Sequence, residues 1–206
     1  MQIQTHIKNI IFDFGGVILN IDYKLTEKAF RELGLTDFAG IYSQATQKEL
    51  FDVFEKGLIS PAEFRTEIRK FIGSATDTQI DQAWNAMLLD LPEERVSLLD
   101  KLRKTHRIFL LSNTNEIHFT SFSLYMKSKF KRDLLFELFE KAYVSHELKM
   151  RKPDSEIFEF VLNENGLKKE ETLFIDDSIQ HIEGAKKAGL NTVFLEKGRT
   201  ILDIFT

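Results

Sequence analysis

The chain has 206 residues, 43% of them apolar, enough for one buried core and a modest insertion. It contains no cysteine, which excludes a disulfide framework, a thiolate nucleophile and a cysteine metal site, so any metal must be held by oxygen or histidine. A formal net charge of −4 gives no basic field for a nucleic-acid backbone, and the apolar stretch after the polar residues 1–9 is too short for a signal region or membrane span; a cytoplasmic protein is expected, with no nucleic-acid or membrane partner.

A first strand is expected over residues 7–14, where Ile10-Ile11-Phe12 ends at Asp13 and runs into Gly15-Gly16. A carboxylate at the tip of a buried strand can attack phosphorus and split hydrolysis into two easier steps when a cation offsets its charge. Glycine lets the backbone approach the phosphate, although Asp before Gly-Gly also makes an ordinary turn. Residues 20–90 show no strand pattern. Helices are expected over 23–33, over 46–56 up to Gly57, from the capped start Ser60-Pro61-Ala62-Glu63, and over 77–87. Leu91-Pro92-Glu93 then starts the helix that returns to the sheet. Helices inserted after the first strand suggest a cap over the carboxyl ends of the strands, where ligands bind in such folds.

A second strand, 107–112, ends Leu110-Leu111-Ser112-Asn113-Thr114 and leads into a helix over 115–129. A hydroxyl and free backbone N–H groups at this junction form an anion site, although Ser112 to Asn115 as a plain helix cap is the simpler reading of that segment alone. After a third strand, 141–145, Met150-Arg151-Lys152-Pro153-Asp154 puts a lysine before Pro-Asp and a helix over 155–165, making Lys152 either a fixed point charge or a surface loop lysine. The fourth strand, 172–176, ends in Asp176-Asp177. Two acids directly after a buried strand are costly unless paired with a cation, and oxygen-only ligation suits Mg²⁺; capping the next helix is the alternative. A helix over 179–188 closed by Gly189 and a strand over 192–195 complete an α/β pattern with a parallel sheet and right-handed crossovers.

The 19 phenylalanines stand at core-like spacings and read as packing, and Lys127, Lys129, Lys131 and Arg132 as a solvated helix face and exit loop. His6, His106 and His146 have no ligand spacing, and His118, one turn into its helix, either faces the site or is packed on the helix, the second being the commoner case.

In order and spacing these four segments resemble the motifs of the haloacid-dehalogenase superfamily: Asp13-Phe-Gly-Gly-Val, Ser112-Asn-Thr-Asn, Met150-Arg-Lys-Pro, and Asp176-Asp-Ser followed by Ile182-Glu-Gly-Ala-Lys-Lys-Ala-Gly189. With Phe54-Glu-Lys-Gly-Leu-Ile-Ser60 and Glu63-Phe64, they are similar to the branch containing bacterial α-D-glucose-1-phosphate phosphatase. The resemblance implies a Rossmann-like parallel core, residues 1–19 and 91–206, carrying a helical cap, residues 20–90. It also implies a Mg²⁺-dependent phosphatase of a small phosphorylated metabolite, such as a sugar phosphate, working through an aspartyl-phosphate. Asp13 would be nucleophile and metal ligand, the Gly15 carbonyl and Asp177 further ligands, and Asp176 an orienting or water-mediated one. Ser112, the Asn113 amide and Lys152 would hold the phosphoryl group, with Lys152 neutralising its charge.

One departure stands out. Most family phosphatases have an aspartate general acid where this chain has Gly15, and such help is worth roughly 10²–10⁴-fold in rate. The substrate, a water or a residue of the helical insertion could substitute, with Asp22 and Glu55 as candidates that otherwise read as solvated helix ends or turns, and His181 replaces a third acid or asparagine of relatives in the fourth motif. Gly15 also keeps open a weak or inactive phospho-ligand-binding module, and argues against a phosphomutase, which needs an acid and base for its relay. A dehalogenase has no use for the Asp176-Asp177 magnesium pair.

Overall fold

Strand β1 (Asn9–Phe12) is buried at every residue and occupies the centre of a five-stranded sheet in a computed structural model that describes residues 5–35 and 45–205. Residues 1–4 of the expected polar N-terminus and residues 36–44 of the expected helical stretch lie outside the described residues. The other strands are β2 (Arg107–Ser112), β3 (Lys141–Val144), β4 (Thr172–Asp176) and β5 (Asn191–Phe194), in the order β3-β2-β1-β4-β5 with every pair parallel. All five expected strands form, within one or two residues of the expected bounds. Helices α1 (Tyr23–Glu32), α2 (Ala45–Glu55), α3 (Pro61–Ile72) and α4 (Asp77–Asn85) separate β1 from α5 (Glu93–Leu102). Beyond β2 come α6 (Glu116–Phe130), α7 (Leu134–Leu138), α8 (Ser145–Leu148), α9 (Ser155–Glu164) and α10 (Ile179–Ala188).

The strands read as continuous apolar runs because both sheet faces are covered. Ile10, Phe12, Ile108, Leu110 and Ile175 pack on one side with Leu99 of α5 and Phe122 of α6. Ile11, Phe109, Leu111 and Phe174 pack on the other with Phe158 of α9 and Ile182 of α10. Phe12 lies opposite Leu110 and Ile175. The next residues, Asp13 and Asp176, are therefore level on neighbouring strands, and Asp13 N–H continues the ladder to the Ile175 carbonyl at 2.9 Å.

The helices between β1 and β2 share a separate apolar cluster built on aromatic contacts. Phe54 stacks on Phe64 with centroids 4.2 Å apart, and Phe51 on Trp84 at 5.2 Å, which accounts for several of the phenylalanines as packing. Ile117 of α6 belongs to the same cluster. Ser60 and Glu63 form the reciprocal capping box expected at the start of α3. The two connectors of the block run side by side: Asn20 N–H donates to the Asp90 carbonyl, Leu89 N–H to that of Asn20 and Asp22 N–H to that of Met87, while Ile21 and Leu88 form an antiparallel bridge. This pairing ends α4 at Asn85 rather than at the expected residue 87, because Met87 and Leu88 are drawn into the connector.

Candidate active site

Two strand ends and one loop bring Asp13, Asp176, Asp177 and Lys152 together. Lys152 is 0% exposed, and its Nζ donates to Asp13 Oδ1 at 2.6 Å and to Asp176 Oδ2 at 2.7 Å while lying 5.3 Å from the Phe174 ring centroid. The surface-loop alternative for this lysine therefore fails. Its position is set by Asn113, whose Oδ1 accepts from Lys152 N–H and whose Nδ2 donates to the Lys152 carbonyl, both at 2.9 Å. The following Lys152–Pro153 peptide is cis. Gly184 of α10 faces the Pro153 carbonyl so closely that an added Cβ would overlap it.

The carboxylates differ in their partners. Asp176 is fully buried and saturated: besides Lys152 it accepts from Ser178 N–H at 2.8 Å and lies 3.0 Å from His181 Nδ1. Burial opposes its charge, but Lys152 and His181 together hold its carboxyl below the usual range. Asp13 is pushed upward by burial, with Lys152 opposing and Asp176 and Asp177 adding repulsion. Asp177 opens to solvent on one side, yet desolvation on the other and repulsion from Asp176 push it to about 6. Carboxylate oxygens of Asp13, Asp176 and Asp177 lie within 4.8 Å of one another. With Lys152 as the ammonium inside this cluster, negative charge is in excess, and the all-oxygen donor set fits a hard divalent cation. Gly16, at φ +82°, leaves the room Asp177 needs: a Cβ there would overlap its Oδ2.

Ser112 ends β2 with a hydroxyl whose one hydrogen bond among the described residues is a long 3.5 Å contact to the Asn113 carbonyl. The Asn113 side chain is committed to the Lys152 backbone, so of its two amides the main-chain N–H is the one left for a ligand. Asn115 caps α6, accepting from His118 N–H at 3.0 Å. Ser112, Asn113, Gly15 and Glu55 line a narrow cleft of about 90 Å³, whereas clefts of about 530 and 670 Å³ lie elsewhere.

Of the remaining sequence candidates, Asp22 is the N-cap of α1, accepting from Lys24 N–H at 3.0 Å, a helix-end role. His118 is buried as a packing residue: its ring stacks on Trp84 at 4.8 Å, and Asn115 Nδ2 donates to Nδ1, so Nε2–H donates to the Trp84 carbonyl at 3.0 Å. Burial lowers its pKa from 6.5 to about 4, against the bond to Trp84. A depressed histidine holds its stability above the unfolded value and loses it as pH falls from about 6.5 towards 4, up to about 3 kcal/mol in all. Urea unfolding at pH 7.5 and 5 should show a smaller acid loss in His118→Gln than in the wild type; equal losses would sink this assignment.

Sequence reasoning missed Ser145, whose Oγ donates to the Glu55 carbonyl at 2.6 Å and accepts from Thr114 N–H at 2.9 Å, tying α2 to the end of β2. A hydroxyl at the end of β3, like Ser112 at the end of β2, was the available signal.

The family model described as haloacid dehalogenase-like hydrolase matches residues 10–195. The chain belongs to the haloacid dehalogenase-like hydrolases. Within this family it is 34% identical over 193 residues to a D-ribitol-5-phosphate phosphatase of Bacteroides thetaiotaomicron, covering 93% of each chain. A haloacid dehalogenase family enzyme from the same organism, solved with magnesium and inorganic phosphate, superposes with a TM-score of 0.86 at 38% identity, covering 97% of this chain and 100% of that one. A haloacid dehalogenase-like hydrolase of Porphyromonas gingivalis gives 0.83 at 33% identity over 95% and 94%. The family-level expectation is thus borne out, and the finer likeness to the glucose-1-phosphate phosphatase branch rests on the motifs alone. No helix among the described residues is long and apolar enough to cross a membrane.

Proposed function

We propose that the protein is a Mg²⁺-dependent phosphomonoester hydrolase for a small polyol or sugar phosphate, acting through an aspartyl-phosphate on Asp13. The observation that carries this reading is the pairing of Asp13 with buried Lys152 inside a three-carboxylate cluster at the strand ends. The relatives support it: one is named a D-ribitol-5-phosphate phosphatase, and another is solved with magnesium and phosphate.

Asp13 and Asp177 would hold Mg²⁺ directly, with the Gly15 carbonyl, while Asp176, saturated by Lys152, Ser178 and His181, orients the cluster. The bound ion would supply charge neutralisation that lets two anions meet. An Asp13 carboxylate oxygen attacks phosphorus as the ester oxygen departs, and water then cleaves the acyl phosphate and regenerates Asp13. Lys152 is fixed in place to offset charge throughout, and Ser112 Oγ with the Asn113 N–H steadies non-bridging oxygens. Gly15 carries no proton, so water or the substrate's own hydroxyls protonate the departing oxygen. Residues 20–90 act as a cap over this site, a reading supported by their separate apolar cluster and paired connectors.

Phosphate release from 4-nitrophenyl phosphate and a panel of sugar and polyol phosphates, with and without Mg²⁺, tests the proposal. Metal-dependent turnover with a polyol or sugar phosphate preferred is the expected result. Phosphate binding without turnover on any substrate would move the protein to the binding-module reading.

A further inference from the structure

Glu55 ends α2, yet its carboxyl is anchored from the core. Arg151, the residue before Lys152, donates from Nη2 to Glu55 Oε2 at 2.7 Å, and its Nη1 lies 2.8 Å from Asp52 Oδ1. The Glu55 main chain is fixed as well, through its carbonyl to Ser145 Oγ. Glu55 Oε1 accepts no hydrogen bond from any described residue, while the side chain lines the cleft that also holds Gly15, Ser112 and Asn113. Glu55 is the one carboxylate among the described residues of that cleft.

A carboxylate clamped by a guanidinium on one oxygen and open on the other is an acceptor aimed at a donor. With Ser112 and Asn113 of that cleft taken up by the phosphoryl group, the group that meets Glu55 belongs to the leaving alcohol. We infer that Glu55 is a specificity-determining residue, whose free oxygen accepts a hydrogen bond from a hydroxyl of the leaving group and so selects hydroxylated, polyol-like phosphate esters over bare alkyl ones. This inference rests on the phosphatase reading above. It gives Glu55 a binding role: burial pushes its carboxyl upward while the Arg151 guanidinium opposes that rise, and with Oε2 held by Arg151 the other oxygen is the one that meets the leaving group. The small cleft fits a short hydroxylated chain better than a bulky ring system.

The test compares kcat/KM for a pentitol phosphate and for pentyl phosphate, in the full-length protein with Mg²⁺. The wild type is expected to prefer the pentitol ester. A site built to bind a hydroxyl discriminates strongly, and one hydrogen bond to a charged group accounts for about 10- to 100-fold, so Glu55→Ala should lower the pentitol-to-pentyl ratio by about that factor. Glu55→Gln keeps an acceptor oxygen without the charge and should give a smaller fall; it also decides the matter if the alanine variant does not fold, as judged by its unfolding midpoint. An unchanged ratio in Glu55→Gln and Glu55→Ala, or equal losses on both esters, overturns the inference. Failure of the phosphatase reading looks different: the wild type itself would release no phosphate from 4-nitrophenyl phosphate.

Discussion

Asp13→Asn is expected to lower Mg²⁺-dependent phosphate release by on the order of 10⁴-fold or more while leaving the fold intact. Asparagine keeps the shape of the side chain and its place at the end of β1, where the backbone N–H bonds to the Ile175 carbonyl, but its amide cannot form the acyl phosphate. The substitution also removes a carboxylate that burial, Asp176 and Asp177 disfavour and Lys152 favours, while Asp176 and the asparagine Oδ1 remain to pair the Lys152 ammonium, unlike the reverse loss of the lysine. The unfolding midpoint in metal-free buffer should therefore be kept or raised, which separates loss of chemistry from loss of structure. Rapid quenching of the wild type followed by intact-mass measurement should reveal a phosphoryl adduct that the variant lacks. Residual turnover within tenfold of the wild type would remove Asp13 from the role of nucleophile.

Lys152→Met should combine a stability defect with a catalytic one. The ammonium is wholly buried between Asp13 and Asp176, and breaking a buried pair from one side typically costs about 3–5 kcal/mol because the partners are left uncompensated. The defect should shrink when Mg²⁺ is added, since a divalent cation offsets the same carboxylates. It should also shrink as pH falls. Without Lys152 the two carboxyls have folded pKa values above their unfolded ones, so the folded state takes up protons first, and stability drops as pH rises through that interval. Turnover should fall by about 10²–10³-fold, the scale for losing one preorganised electrostatic partner. Urea midpoints with and without Mg²⁺ at two pH values check the first claim; a defect indifferent to both variables would mean that Lys152 acts through packing alone.

Much of this site is legible in the sequence because its chemistry sits at the ends of buried strands. Ile10-Ile11-Phe12 before Asp13 and Phe174-Ile175 before Asp176 are apolar on both faces, so the first acid after each run marks where the sheet stops. Ser112 and Lys152 stand out by the same logic, one at a strand end and one before Pro-Asp. What the sequence hides is pairing between distant segments. Asn113 holds Lys152 across 39 residues and Arg151 holds Glu55 across 96, and local periodicity carries no record of either. The two short helices α7 and α8, of 5 and 4 residues, are too brief to display a helical period. Asp133, the cap of α7, was the one local cue to the first of them.

The side-by-side connectors at residues 20–22 and 87–90 have a consequence for how the protein tolerates change. A segment that departs and returns at one point closes a loop whose ends already touch, and closure entropy grows only slowly with loop length, about 0.6 kcal/mol per doubling. In closure entropy alone, a change in the length of the segment between them costs the sheet little. Under the function proposed above, such a joint would let the segment between the connectors change while the strand ends that carry Asp13 and Asp176 stay as they are.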